Sequence, residues 1–157
     1  MSIERAREYL KQFGEDKNIQ VFSSSSATTS EAASVANCMP AEIAKTLSFK
    51  FGARVVLVVV SGDMRVDNAK FKAEFGRRGS MLSFEEVEPS IGHAVGGVCP
   101  FGINPGIDVF LDVSIKRFKT CHVAGGSSNS LIKLSIEKLE KISAYKKWVD
   151  VCKHIEQ

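Results

Sequence analysis

Ile43-Ala44-Lys45-Thr46-Leu47-Ser48-Phe49-Lys50-Phe51, then Gly52-Ala53, then Arg54-Val55-Val56-Leu57-Val58-Val59-Val60-Ser61, is the stretch whose reading decides the fold. The first run alternates, which is strand periodicity: Ile43, Lys45, Leu47, Phe49 and Phe51 fall on one face, and Thr46, Ser48 and Lys50 on the polar one. The second run is almost unbroken Val and Leu, the pattern of a central strand covered on both faces of its sheet. A two-residue break containing glycine predicts a hairpin between them.

Outward from this hairpin, helical and strand-like segments intermix. Ile3, Ala6, Tyr9, Leu10 and Phe13 are spaced by three and four, predicting a helix over 3–13 that Gly14 stops. A short strand is expected over 19–22 and a Ser/Thr-rich loop over 23–30. That loop ends in a helix cap, and a helix over 31–38 follows before Pro40. Residues 67–75 read as helix with Gly76 as its stop, and Ser83-Phe84-Glu85-Glu86 is a capping box opening a helix to about Ile91. Strands are expected over 95–98, 109–113, 120–124 and 130–134, a helix over 135–142, and over 147–152 a last strand in preference to more helix. With no repeats and no long linker, the expectation is one α/β (α+β) domain over 1–157, a mixed sheet with peripheral helices.

Composition narrows the function classes. A chain of 157 residues can bury roughly 68–70% of its unfolded surface without disulfides or metal. The net charge of +3, with Lys and Arg interspersed among Asp and Glu, lacks the clustered excess of a dedicated DNA binder, and fits a small contact with nucleic acid as well as none. Cys38, Cys99, Cys121 and Cys152 form no C-x-x-C, and His93, His122 and His154 form no metalloprotease pattern, so no metal or cofactor is expected. The longest apolar run, Val55 to Val60, falls far short of the roughly 20 residues of a membrane span. No membrane partner is expected, and in the absence of a signal-peptide pattern the expected location is the cytoplasm.

Lys45 is the most informative candidate. Its ammonium shares a strand face with apolar residues, which is costly unless it reaches a partner, a pocket or water. Two readings stand: a lysine snorkelling from a strand's start, or one aimed into an anionic site. Gly96-Gly97-Val98-Cys99-Pro100-Phe101-Gly102 is either a plain turn or a loop whose N–H groups hold a carbonyl or phosphate oxygen. Gly125-Gly126-Ser127-Ser128-Asn129 sits between strands and reads as a hairpin loop. Asp112 is a solvated strand end, a partner of Lys45 or a group that orients a substrate. Asp63, with Arg65 and Asp67, forms a polar turn or the rim of a cleft. Cys99 invites a nucleophile reading, although lone cysteines are usually small buried hydrophobes. His122 reads as a satisfied core histidine rather than a base.

Ile43-Ala44-Lys45-Thr46-Leu47, the Val-rich strand with Ser61-Gly62-Asp63, the Gly96–Gly102 loop and Ala124-Gly125-Gly126-Ser127 fall in the order seen in YbaK/EbsC-type proteins. These are similar to the editing insertion of bacterial prolyl-tRNA synthetase, and the resemblance runs from about Ile19 to Cys152. It implies a compact α/β domain with a mixed, strongly curved sheet that hydrolyses misacylated tRNA, with Cys- or Ala-tRNA(Pro) as the expected substrate. The expected partners are the 3′ aminoacyl end of tRNA and prolyl-tRNA synthetase. The family lysine maps to Lys45 and the family G-x-x-x-P loop to Gly96 through Pro100. Lys45, Gly96 and Gly97 are then the expected catalytic residues. Phe49, Asp63, Val98, Cys99, Pro100, Phe101, Asp112 and Ser127 are expected around the substrate, with a small side-chain pocket near Phe49 and Phe101. The turn after Ala124 carries no basic residue here, unlike many relatives. A non-catalytic module that binds an aminoacyl end or a synthetase is the alternative.

Overall fold

The computed structural model describes residues 2–155; the expected span of 1–157 also includes residues 1, 156 and 157, which lie outside it. The chain runs α1 (Ser2–Lys11), β1 (Ile19–Val21), α2 (Thr29–Ala36), β2 (Ile43–Phe51), β3 (Arg54–Ser61), β4 (Met64–Val66) and α3 (Asn68–Phe75). It continues β5 (Ser80–Met81), α4 (Phe84–Ile91), β6 (Asp108–Asp112), β7 (Thr120–Ala124), β8 (Ser130–Ser135), α5 (Ile136–Ile142), β9 (Lys147–Val149) and β10 (Cys152–His154). The main sheet has the order β1-β8-β7-β2-β3-β6-β9, with β5 added beside β2. It is mixed: β2 runs parallel to β7, β3 to β6 and β6 to β9, while the other pairs are antiparallel. β4 and β10 form a separate ribbon.

The central hairpin forms as its sequence predicts. Phe51 pairs with Arg54 across Gly52-Ala53, and of these two only Gly52 has a positive φ, +62°, the pattern of a type II′ turn. β3 then serves two cores at once. Leu57 and Val59 join side chains from α1, α4 and α5, whereas Val56, Val58 and Val60 pack with Phe71, Phe110 and Val149. This two-sided burial is why the run lacks polar alternation. On β2, Leu47, Phe49 and Phe51 lie in the second core, where Phe49, Phe51, Phe71 and Phe75 form a ring cluster with centroids 4.5–6.0 Å apart.

Several expectations are corrected. Residues 95–98 are not a strand: Gly96 sits at φ +93° and the Gly97 N–H donates to Ala94 O at 3.0 Å, closing a turn that cannot ladder. The strand expected to reach Val113 stops at Asp112, whose carboxylate caps a 3₁₀ turn by accepting the Ser114 N–H. Residues 147–152 divide between β9 and β10, and between them the Val151 N–H turns to the Asp112 carboxylate at 2.9 Å. Helix α2 begins earlier than expected, because Thr28 and Glu31 form a full capping box. The face of β2 expected to be polar is covered: Ala44 is in the first core and Ser48 is buried.

Candidate functional site

The site begins as a fault in sheet pairing. On the outer edge of β2, pairing with β7 ends at Ala44 opposite Val123, and pairing with β5 starts at Phe49 opposite Met81. Residues 45–47 have no strand beside them on that edge among the described residues, and the Ser48 carbonyl already accepts the Leu82 N–H at 3.2 Å. The Ile43 carbonyl accepts from Gly62 on the β3 side, and alternation along the strand turns the backbone groups of Thr46 toward the open edge. An unpaired strand edge is a ready hydrogen-bonding template. A cavity of about 470 Å³ opens there, within the size range of small-molecule sites.

Segments from across the chain wall it, with Met81 of β5, Ala124 of β7 and Leu131 of β8 among the lining residues. β2 contributes Lys45, Thr46, Leu47 and Ser48; the start of α2 contributes Thr28, Thr29 and Ala32; Val95, Gly96 and Val98 come from the glycine loop; and Phe84 and Val87 come from α4. Gly96 fits because a Cβ there would meet the Ala27 Cβ at 3.0 Å, and because its φ lies in the left-handed region. Gly97 faces away, buried against the Gly126–Ser127 backbone. Behind the loop lies His93, fully buried, with Nε2–H donating to Phe101 O at 2.6 Å. That bond sets the tautomer of the neutral ring, leaving Nδ1 without a proton and without a hydrogen-bond partner among the described residues. Burial pulls the His93 pKa below the ordinary value.

Lys45 is partly buried, and burial lowers its pKa, with the Asp63 carboxylate acting in the opposite direction. It forms no ion pair among the described residues. Asp63, the acid whose charge it feels, is taken by Arg117, whose Nη1 and Nη2 donate to it at 3.0 and 2.6 Å. Those hydrogen bonds hold the Asp63 carboxyl below its usual range. Lys45 is therefore a half-desolvated cation at a cavity wall, an arrangement suited to an anionic or carbonyl oxygen.

Lys45, Gly96 and Val98 thus meet at one cavity, and the other expected site residues do not line it. Phe49 is in the second core. Phe101 is fully buried and stacks on Tyr9 at 6.1 Å, so the side-chain pocket expected near Phe49 and Phe101 does not form there. Cys99 is fully buried with its thiol pushed up to about 12 by desolvation, and Pro100 is buried beside it. Asp112 is neither solvated nor paired with Lys45; it is 1% exposed and holds two backbone N–H groups. Asp63 is bound to Arg117, and the Ser127 hydroxyl is engaged with Asn129 and Ser130 inside its own turn. His122 is buried, but its Nδ1 has no hydrogen-bond partner among the described residues, so it is a core histidine without being the satisfied one expected. Among the lining residues outside the expected set are Ser26 and Thr46, whose hydroxyl oxygens are buried without a hydrogen-bond partner among the described residues. Buried hydroxyls are normally paired, so these two mark capacity for a ligand. Among the described lining residues there is no carboxylate, histidine or cysteine.

The aminoacyl-tRNA editing domain family matches residues 23–142. YwhH of Bacillus subtilis, an uncharacterized protein, is 43% identical over 154 residues, covering 98% of each chain. Proline–tRNA ligase of Bacillus cytotoxicus is 27% identical over 117 residues, which is 73% of this chain and 21% of the ligase. A crystal structure described as a candidate trans-editing enzyme for prolyl tRNA synthetase superposes with a TM-score of 0.87 at 26% identity, over 97% of both chains. The hypothetical protein APE2540 superposes with a TM-score of 0.84 at 27% identity, over 95% of this chain and 99% of that one. The family match takes in every segment that walls the cavity, from Ser26 to Leu131, and this chain belongs to the aminoacyl-tRNA editing domain family.

Proposed function

We propose that the protein is a trans-acting deacylase that hydrolyses misacylated tRNA, with Cys- or Ala-tRNA(Pro) as its substrate. The observation that carries this reading is the cavity at the unpaired edge of β2, where Lys45 and Gly96 meet in a chain of the editing family. An aminoacyl ester is already activated, so its hydrolysis needs no protein nucleophile. The Lys45 ammonium holds the terminal phosphate or the ester carbonyl as a point charge. The Gly96 loop and the free edge at Thr46 supply backbone groups to the developing oxyanion, of which the Gly97 N–H is not one, being already given to Ala94. With no base among the described lining residues, the attacking water is activated by the hydroxyl of the substrate's own ribose. The mainly apolar walls favour a small side chain, the class a synthetase rejects poorly because one methylene is worth only about 1–3 kcal/mol.

The test is deacylation of tRNA(Pro) charged separately with Cys, Ala, Ser and Pro. Loss of one mischarged ester, with Pro-tRNA(Pro) spared, is expected. The missing base also suits a non-catalytic module that binds the aminoacyl end; tight binding of charged tRNA with no turnover, even with prolyl-tRNA synthetase added, would decide for that reading.

A further inference from the structure

The cavity mouth carries an apolar rim that the core does not use. Eight large apolar side chains are exposed among the described residues, and three of them, Met81, Phe84 and Val95, line this one cavity. They come from three separate segments, β5, α4 and the glycine loop. Phe84 is 75% exposed and belongs to none of the hydrophobic clusters. Its backbone is nonetheless firmly held. It opens α4 beside Ser83, whose N–H donates to Glu86 Oε1 at 2.9 Å, and Glu86 is bound in turn to Lys50 of β2. An aromatic ring left in water beside a cavity, on a backbone fixed in place, is a platform for something flat.

We propose that Phe84, flanked by Met81 and Val95, is the stacking platform for the terminal adenine of tRNA. The inference rests on the deacylase reading for its geometry: an ester seated between Lys45 and Gly96 places its ribose at the mouth, and the base attached to that ribose lies on the rim. Single-stranded ends are recognised by stacking unstacked bases on aromatic side chains, with the backbone steered by cations. The modest net charge of +3 fits an enzyme that holds a nucleotide or two rather than a long duplex.

The test compares wild type with Phe84→Ala, Phe84→Leu and Phe84→Trp. In steady-state deacylation, Ala and Leu are expected to raise KM about 5- to 100-fold with kcat within about twofold, and Trp to restore KM, because leucine keeps the apolar surface but cannot stack. In a second arm, uncharged tRNA with and without its terminal adenosine is titrated against wild type and Phe84→Ala; removing the adenosine is expected to weaken binding to wild type and to leave the variant unchanged. A KM unmoved in Phe84→Ala, a Leu variant that behaves as wild type, or equal wild-type affinity for the two tRNAs overturns the proposal. An effect that appears only with prolyl-tRNA synthetase present assigns the rim to a protein contact and overturns it too. If no ester is hydrolysed yet the terminal adenosine still strengthens binding through Phe84, the deacylase reading falls and the stacking site stands.

Discussion

Gly97 lies against Ser127 with no room for a side chain: a Cβ at position 97 would sit 2.6 Å from the Ser127 nitrogen and 2.7 Å from the Gly126 carbonyl carbon. Two loops that are thirty residues apart thus pack backbone on backbone, and the placement of Gly96 at the cavity depends on that contact. The obstacle is main chain, which cannot rotate aside. Gly97→Ala is therefore expected to cost about 1–3 kcal/mol, the usual range for overpacking. Thermal unfolding reads the loss, and deacylation is expected to fall with it because Gly96 moves with its neighbour. A variant with wild-type Tm and rate would show that the loop position is not constrained by this contact.

Lys45→Ala is expected to leave Tm within a degree or two and to slow deacylation about 10- to 100-fold, the equivalent of one hydrogen bond to a charged group. The ammonium is partly desolvated and forms no ion pair among the described residues, so removing it strips no partner of its charge. A large fall in Tm with an unchanged rate per folded molecule would make Lys45 structural.

Cys99→Ala is expected to retain deacylase activity within about threefold. The thiol is fully buried and held at about 12, so it is protonated at neutral pH and out of reach of a substrate. Abolished activity in a variant that melts like the wild type would reinstate a cysteine nucleophile.

His93 predicts a pH dependence of stability. Burial depresses its pKa in the folded chain, while the unfolded chain titrates near about 6.5. The neutral ring's contribution is therefore complete above that value and is lost as pH falls through it toward the folded value, with a slope of at most about 1.4 kcal/mol per pH unit for one proton. Urea midpoints are expected to fall between pH 7.5 and 5.5, and less steeply in His93→Gln, which keeps an N–H for the Phe101 carbonyl. His122 is shifted in the same direction, first by burial and then by Lys133, so the single variant removes only part of the slope. Equal slopes in wild type and variant would remove His93 from the account.

Local chemistry was enough for much of the fold. The β2–β3 hairpin, the stop at Gly76 and the Ser83–Glu86 capping box depend on interactions within a few residues, and each forms where the sequence places it. The same holds for Lys45 on the apolar face of β2. The failures share a cause. Residues 95–98 are apolar enough for a strand, but a turn closed by Ala94 and a glycine held against a distant loop decide otherwise. Thr46 and Ser48 alternate as a solvated face would, yet Thr46 lines the cavity and Ser48 is buried.

By itself, then, the sequence determined the strand and helix periods, the central place of β3, and a family pattern carried by Lys45 and the Gly96–Pro100 loop. The tertiary structure alone decided where the cavity lies and what lines it. The gap on the edge of β2 exists because β7 and β5 pair with different ends of one strand. No local pattern encodes which stretch of an edge is left unpaired, since that depends on contacts between residues distant in the chain. For the same reason Asp112 and Phe101, plausible site residues on paper, became a buried cap and a core ring, while Phe84, which reads locally as the first residue of a helix, came to stand at the cavity mouth.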